Sequence, residues 1–174
     1  MENFFQYGET EIAYLKQADK RLAEVIDRIG KVERRVIPDL FAALVHSIVG
    51  QQISTKAHET IWGRIENALG KVTPEAIDRL SMEELQGFGI TFKKAAYIRN
   101  ATRKVMDGTF DIQALYTMDD NEVCTRLSEL DGIGVWSAEM LMLFFHATPE
   151  HSQLRRLGHT AGIAHGLSSS ENHP

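Results

Sequence analysis

The passage 130–139, Leu-Asp-Gly-Ile-Gly-Val-Trp-Ser-Ala-Glu, constrains the fold of this chain more than any other. Apolar residues at helical spacing lie on both sides of it, which predicts two helices joined by a tight turn. Gly132 and Gly134 can adopt backbone angles that other residues avoid, and neither has a side chain that would block a ligand. Backbone amides at the start of the second helix would face outward and bind an anion such as a DNA phosphate. A corner whose glycines serve packing alone explains the turn equally well.

The remainder of the chain has the same helical periodicity. It predicts helices over about 9–29, 40–49, 55–69, 91–108, 119–130 and 135–145. Capping signals mark several helix starts, at Pro38-Asp39, Ser54, Thr73-Pro74-Glu75 and Ser81, and glycines mark helix ends at Gly30 and Gly70. No alternating run is long enough for a sheet, so the expected fold class is all-α.

Composition limits the kind of protein that this chain can be. Its 174 residues, 43% hydrophobic and 25% charged, suffice for one domain or for two small lobes that share a core. No apolar run approaches the roughly 20 residues that cross a bilayer, and Met1–Phe5 does not resemble a signal peptide. We therefore expect a cytoplasmic protein without a membrane partner. The single Cys124 excludes a disulfide framework within the chain, and the net charge of −5 argues against unselective coating of nucleic acid.

A second glycine turn, Glu-Leu-Gln-Gly-Phe-Gly-Ile at 84–90, parallels the sequence at 129–135. The helix predicted after it has no acidic residue from Phe92 to Lys104. Its basic residues are Lys93, Lys94, Arg99, Arg103 and Lys104. Most charge runs are solvated faces, but two such turns and a basic helix in an acidic chain favour a surface that faces nucleic acid.

Two passages together resemble a known family. They are His-Ser-Ile-Val-Gly-Gln-Gln-Ile-Ser-Thr-Lys-Ala at 46–57 and Leu-Asp-Gly-Ile-Gly-Val-Trp-Ser-Ala-Glu-Met at 130–140. Both are similar to the helix-hairpin-helix DNA glycosylases of the alkylbase, or DNA-3-methyladenine glycosylase II, type. The resemblance covers about 9–145 and implies a two-lobed helical fold with a cleft. It also implies base excision repair, in which the N-glycosidic bond of an alkylated purine is hydrolysed after the base is flipped out of the duplex.

The resemblance implies DNA contacts from two loops. The hairpin, Gly132-Ile133-Gly134, would hold the DNA backbone through main-chain amides. A structural Na⁺ or K⁺ ion would lie on the backbone of Gly132 and Gly134, with no other cofactor. The loop Gln51-Gln52-Ile53 would insert into the duplex and fill the space left by the flipped nucleotide. The residues concerned are Gln51, Gln52, Ile53, Gly132, Ile133, Gly134 and Ser137. The implied partner is double-stranded DNA with alkylated bases, bound by a monomer. Without the hairpin, Gln51-Gln52 would be better interpreted as a polar helix end.

Trp136 narrows the expected chemistry. In the bifunctional relatives, which also cut the strand, the matching position is a lysine that forms a Schiff base, and a tryptophan cannot be that nucleophile. Its aromatic face can stack on an electron-poor alkylated purine instead, with Met140 as a second residue of the base pocket. The chain therefore resembles the monofunctional type, which leaves an abasic site. The alternative for Trp136 is a core position, which the apolar helical spacing predicts for Trp62 and Tyr97.

The carboxylate that the family requires is missing from its expected place. The resemblance implies an aspartate about twenty residues after the hairpin, which stabilises the cationic sugar and orients the attacking water. The usual motif reads Asp-Asp-x-Gly-Ile-x-Arg-Gly-Leu. In this chain the only acids after Glu139 are Glu150 and Glu171, and neither lies in a matching motif. We therefore assign no catalytic residue and expect the chain to be inactive as written.

The tail 146–174 is atypical of the family, because apolar periodicity stops at Phe145. Synonymous codons exist for it that, shifted by one base, read Met-Gln-Arg-Pro-Asn-Ile-Leu-Ser-Tyr-Asp-Asp-Ser-Gly-Ile-Gln-Arg-Gly-Leu-Arg-Met. That string resembles the missing segment, and its Asp-Asp overlaps the codons of Leu154–Leu157. We therefore expect a frameshift near Phe145 or His146, an incomplete glycosylase domain at 1–145 and a poorly structured tail. The truncation would expose apolar surface and promote association.

Two alternatives stay open at this point. A non-catalytic helix-hairpin-helix DNA-binding module would use the same phosphate grip, and it predicts salt-sensitive binding with little preference for damaged sites. A purely structural helical protein would need the glycines for its fold alone.

Overall fold

The computed structural model describes residues 4, 5 and 7–145, with side chains up to Met142. Within these residues the regular structure is helical, and one isolated antiparallel bridge joins Phe4 to Arg35. The helices are α1 (Glu9–Ala18), α2 (Lys20–Ile29), α3 (Leu40–Gly50), α4 (Thr55–Leu69), α5 (Pro74–Asp78), α6 (Met82–Gly87), α7 (Phe92–Met106), α8 (Asp120–Ser128) and α9 (Val135–Phe145), with a 3₁₀ turn at Ala114–Thr117. The all-α prediction is confirmed, and none of the described helices is long and apolar enough to cross a membrane.

The prediction of one helix over 9–29 is wrong, because the chain breaks at Asp19. This residue has an extended backbone (φ −144°, ψ 117°), and its carboxylate accepts hydrogen bonds from the amides of Arg21 and Leu22. Aspartate stabilises a helix N-terminus better than a helix interior, since its short side chain competes for nearby backbone amides. The apolar spacing continues across the break and conceals it. The predicted end at Gly30 is confirmed, with φ +78°.

The described part of the chain divides into two compact units, with the boundary between Ile37 and Pro38. In the first unit, α1 and α2 pack together and Lys16 forms an ion pair with Asp27. No residue of either helix is buried. The large aliphatic side chains Leu15, Leu22, Val25 and Ile29 are between 38% and 60% exposed. This unit therefore presents open apolar surface, and the association predicted from it stays a prediction.

The core of the second unit surrounds α3. Asp39 caps this helix by accepting a hydrogen bond from the amide of Ala42 at 2.8 Å. The helix packs against α4, α7 and α9. Its buried residues are Leu40, Phe41, Ala42, Ala43, Leu44, Val45, Ile48 and Val49. Each large aliphatic side chain removed from water contributes roughly 1.5–3 kcal/mol, so burial holds α3 and fixes where its C-terminal end lies.

The predicted capping residues occupy the predicted helix starts. The side chains of Ser54, Thr73, Ser81, Thr91 and Asp119 each accept a hydrogen bond from a backbone amide two or three residues later. The helix predicted to run to Leu130 ends at Ser128, and the 3₁₀ turn at 114–117 was not predicted. The predictions about the tail 146–174 lie outside the described residues.

Candidate nucleic-acid interface

Gly132 shapes the turn between α8 and α9. It has φ +80°, which L-residues with side chains rarely adopt. A Cβ atom built on it would lie 2.2 Å from Cδ2 of Tyr97. Tyr97 is half-buried on α7, close to its predicted core position. Backbone conformation and packing therefore both require glycine at 132.

Gly134 differs from Gly132 in both respects. Its φ is not positive, so the chain uses the conformational freedom of glycine at 132 and not at 134. A Cβ atom at this position would meet nothing within 4 Å. Packing explains Gly132 but not Gly134, and the missing side chain at 134 leaves open space beside the start of α9.

The amides that could bind a phosphate lie in the first turn of α9. The predicted run of outward amides is interrupted at Ile133, whose N–H donates to the carbonyl of Leu130 at 3.0 Å and whose side chain is buried. The first helical hydrogen bond of α9 runs from Ala138 N–H to Gly134 O at 2.9 Å. The amides of 135–137 precede it, at the positive end of the helix dipole. Ser137 is only 9% exposed, so its predicted contact with DNA stays a prediction.

The loop at 51–53 touches the hairpin directly. Gln51 Nε2 donates a hydrogen bond to Gly132 O at 2.8 Å across 81 residues of sequence. Gln52 is exposed and has φ +54°, a left-handed conformation that costs a non-glycine residue on the order of 1 kcal/mol. Ile53 is also exposed. Gln51 thus ties the loop to the hairpin, whereas Gln52 and Ile53 are exposed to solvent, and their insertion into DNA stays a prediction.

Three basic side chains of α7 donate hydrogen bonds to carbonyl oxygens of the chain. Lys94 Nζ donates to Val49 O at 2.8 Å and to Gln51 O at 2.6 Å. Arg99 donates to a carbonyl oxygen of the chain, that of Leu80, and Lys104 Nζ donates to Glu129 O at 3.2 Å. These three side chains are therefore engaged within the protein, whereas Lys93 and Arg103 are exposed, and the basic face toward nucleic acid stays a prediction.

Two further residues of α7 lie beside the hairpin. Lys93 is exposed and its Nζ lies 5.7 Å from the centroid of the Tyr97 ring, whose other contacts include Gly132. Asn100 Nδ2 donates to Asp131 Oδ2 at 3.0 Å. Sequence reasoning missed the supporting roles of Lys94, Tyr97 and Asn100, because each depends on a partner more than 30 residues away.

Two histidines, His46 and His58, pack together near the C-terminal end of α3. The rings of His46 and His58 lie 4.0 Å apart, and His46 meets Trp62 edge-on at 4.8 Å. His58 Nε2 hydrogen-bonds to His46 O at 3.0 Å, and a Cβ at Gly50 would lie 2.6 Å from the His58 ring. Burial lowers the pKa of His58, and the nearby Lys94 charge lowers it further against the opposing hydrogen bond. Trp62 is buried, as predicted.

Trp136 is on the surface of the described structure. Its side chain is 70% exposed, so the alternative of a core tryptophan is wrong. Met140 is half-buried one helical turn later, on the same face of α9. Two open cavities of about 410 Å³ in this unit are lined by other residues. The base-pocket roles of Trp136 and Met140 stay predictions.

The described residues contain no group of three or more His, Cys, Asp or Glu side chains placed to hold a metal ion. A monovalent cation would need the hairpin carbonyls instead. Gly132 O already accepts from Gln51, and Gly134 O from Ala138 N–H. Each carbonyl oxygen keeps one lone pair that could bind a cation, so the two oxygens supply only part of the ligand set that a cation needs.

The chain matches a known protein family over a range that includes both the turn and the loop. The model of the HhH-GPD superfamily base excision DNA repair protein matches residues 45–164, more than half of the chain. The chain belongs to this superfamily. The matched range contains both the Gln51 loop and the hairpin, and it continues past the last described residue.

Several proteins similar to this chain are named 3-methyladenine glycosylases, and others with the same fold are named 8-oxoguanine glycosylases. DNA-3-methyladenine glycosylase 1 of Schizosaccharomyces pombe is 22% identical, over 79% of this chain and 62% of that protein. A crystal structure of DNA-3-methyladenine glycosidase from Bacillus halodurans has a TM-score of 0.63 and 36% identity, over 81% of this chain and 66% of that one. The S. pombe glycosylase Mag1 in complex with abasic DNA has the same fold, with a TM-score of 0.69 and 21% identity over 76% of this chain and 68% of that one. The chain thus spans only about two thirds of the length of these relatives.

Proposed function

We propose that this chain carries the DNA-binding part of a monofunctional DNA-3-methyladenine glycosylase of base excision repair. The observation that carries the proposal is the hydrogen bond of 2.8 Å from Gln51 Nε2 to Gly132 O, because it unites the loop and the hairpin in one surface. The 36% identity to the B. halodurans enzyme supports alkylated purines as the substrate class. The aromatic Trp136 at the lysine position of the bifunctional relatives supports base removal without strand cleavage.

Each part of the surface then has a defined task. The first-turn amides of α9 bind a backbone phosphate, assisted by the helix dipole. Gln52 and Ile53 enter the duplex where the damaged nucleotide leaves it, and this replacement offsets a flipping cost of a few kcal/mol. Trp136 and Met140 receive the flipped base. A Na⁺ or K⁺ ion on the hairpin carbonyls would add positive charge near the phosphate, and no step depends on it.

The missing carboxylate leads to a proposal about the gene. Asp131 is the last aspartate of the sequence, so 146–174 contain none. We propose that a frameshift near Phe145 or His146 replaces the catalytic Asp-Asp segment. The family model matches residues as far as 164, so its match includes part of the tail as written. The reading frame of the gene across this junction is therefore the decisive test. Sequencing the DNA across this junction identifies the reading frame. Codons that cannot encode the shifted string would refute the frameshift.

An excision assay tests the enzyme activity. The 174-residue chain should release little or no 3-methyladenine or 7-methylguanine from methylated DNA, since 146–174 lack the aspartate motif that the family resemblance implies. A variant with the tail replaced by the shifted segment should release both, and replacing the second aspartate of its pair by asparagine should abolish release again. Robust excision by the 174-residue chain refutes the missing-carboxylate argument. A folded, repaired chain without excision refutes the glycosylase proposal.

The Gln51–Gly132 hydrogen bond and the first-turn amides of α9 serve DNA binding without any catalytic group, and they also support a second candidate, a non-catalytic DNA-binding module. Competition binding distinguishes it from the glycosylase. A glycosylase should bind a duplex with an abasic-site analogue more tightly than an undamaged duplex, whereas a simple module should bind both equally. In either case we propose double-stranded DNA as the partner, a cytoplasmic location and a monomer that associates through its exposed apolar surface at high concentration.

A further inference from the structure

Lys94 closes the C-terminal end of α3. The last carbonyls of an α-helix have no partner within the helix and form its negative end. The Lys94 ammonium donates to two oxygens there, Val49 O at 2.8 Å and Gln51 O at 2.6 Å. Charge-assisted hydrogen bonds of this kind are stronger than neutral ones. Burial lowers the pKa of Lys94, so the two hydrogen bonds hold a partly desolvated charge in place.

One of the two bonds acts on the strained part of the loop. The Gln51 carbonyl belongs to the planar peptide that joins Gln51 to Gln52. The unusual φ of +54° is the rotation of Gln52 relative to this same peptide plane. Strained residues keep their conformation only when surrounding contacts hold them. By holding Gln51 O, the Lys94 ammonium fixes the plane from which Gln52 and Ile53 project.

The helix that carries Lys94 also supports the hairpin. Tyr97 follows Lys94 by three residues, on the same face of α7, and its ring lies against Gly132. Asn100 follows after three more residues and binds Asp131. One helix therefore sets the positions of the loop and of the hairpin together, and the Gln51–Gly132 bond completes the connection.

We propose that Lys94 is a positioning residue that holds the Gln51–Ile53 loop ready for insertion into duplex DNA, an inference that rests on the proposed function. Lys94 does this through the Gln51 carbonyl and makes no contact with DNA itself. Its neighbour Lys93 is exposed on the same helix and serves as a matched control, because its removal changes the net charge equally.

Binding and fluorescence assays on the full chain test the proposal. The duplexes contain either a tetrahydrofuran abasic analogue or no damage, with 2-aminopurine beside the site to report unstacking. Lys94→Met should weaken binding to the abasic duplex about tenfold, as expected for a lost charge-assisted bond, and reduce the fluorescence rise at saturating protein. Lys93→Met should weaken binding to both duplexes equally and leave that rise unchanged. Lys94→Arg, which keeps two donors, should retain most of the wild-type response.

Hydrogen exchange in the free protein tests the role of Lys94 independently of the proposed function. The amides of 48–51 should exchange faster in Lys94→Met than in Lys93→Met, whether or not the chain binds DNA. If wild type shows no preference for the abasic duplex, the proposed function fails while the exchange result still decides the role of Lys94. Equal exchange and equal fluorescence in the two variants overturn the inference, as does an arginine variant no better than methionine. If Lys94→Met melts below the assay temperature, Lys94→Gln replaces it with the same expected pattern.

Discussion

Alanine at Gly132 tests whether the hairpin is fixed by its contact with Tyr97. The left-handed φ of +80° costs an alanine about 1 kcal/mol. The new Cβ would lie 2.2 Å from the Tyr97 ring, an overlap that forces movement at a cost of about 1–3 kcal/mol. Together these effects predict a loss of about 2–4 kcal/mol in the free energy of unfolding, or about 5–15 °C in Tm for a chain of this size.

Gly134→Ala is the matched control, two residues away in the same turn. A Cβ there meets nothing within 4 Å and φ is not positive, so stability should change by less than about 0.5 kcal/mol. Its methyl group would occupy the open space beside the first amides of α9, so we expect weaker DNA binding instead. Urea unfolding measures the first quantity and a DNA titration the second.

A double-mutant cycle isolates the contact itself. In a Tyr97→Ala background the steric part of the Gly132→Ala penalty should disappear, which leaves about 1 kcal/mol from the backbone. A Gly132→Ala variant that unfolds at the same urea concentration as Gly134→Ala would refute the packing argument. A Gly134→Ala variant with reduced stability and unchanged DNA affinity would favour a purely structural turn.

Three further changes have defined outcomes. Gln52→Gly should raise the free energy of unfolding by up to about 1 kcal/mol in a urea titration, because the strain at φ +54° disappears, while the fluorescence response to the abasic duplex falls. Trp136→Ala should leave Tm within about 2 °C of wild type, since the side chain is 70% exposed, but should reduce excision in a tail-repaired chain; unchanged excision contradicts the pocket role. Because burial lowers the pKa of His58 from 6.5, the unfolded chain binds its proton more readily, so stability should fall as pH drops through about 6.5 and below. His58→Asn should flatten this part of the profile, and an identical slope in both proteins would exclude His58 as its source.

Much of the fold was predictable because helix ends are decided by neighbours in sequence. Ser54, Ser81 and Asp119 each bind an amide two or three residues away, and such partners can be identified from spacing alone. Asp19 obeys the same rule, and its cap was missed because apolar periodicity continues across it. The capping preference of aspartate was the signal that could have located this break.

The sequence by itself therefore determined the all-α class, most helix starts and the two passages that carry the family resemblance. Only the tertiary structure decided how those passages cooperate. It joined Gln51 to Gly132 across 81 residues and Lys94 to Gln51 across 43. It also decided that packing requires glycine at position 132 but not at position 134. The physical reason is that capping is local, whereas these contacts depend on how the buried faces of α3, α7 and α9 pack around one core, and spacing along the chain does not encode that arrangement.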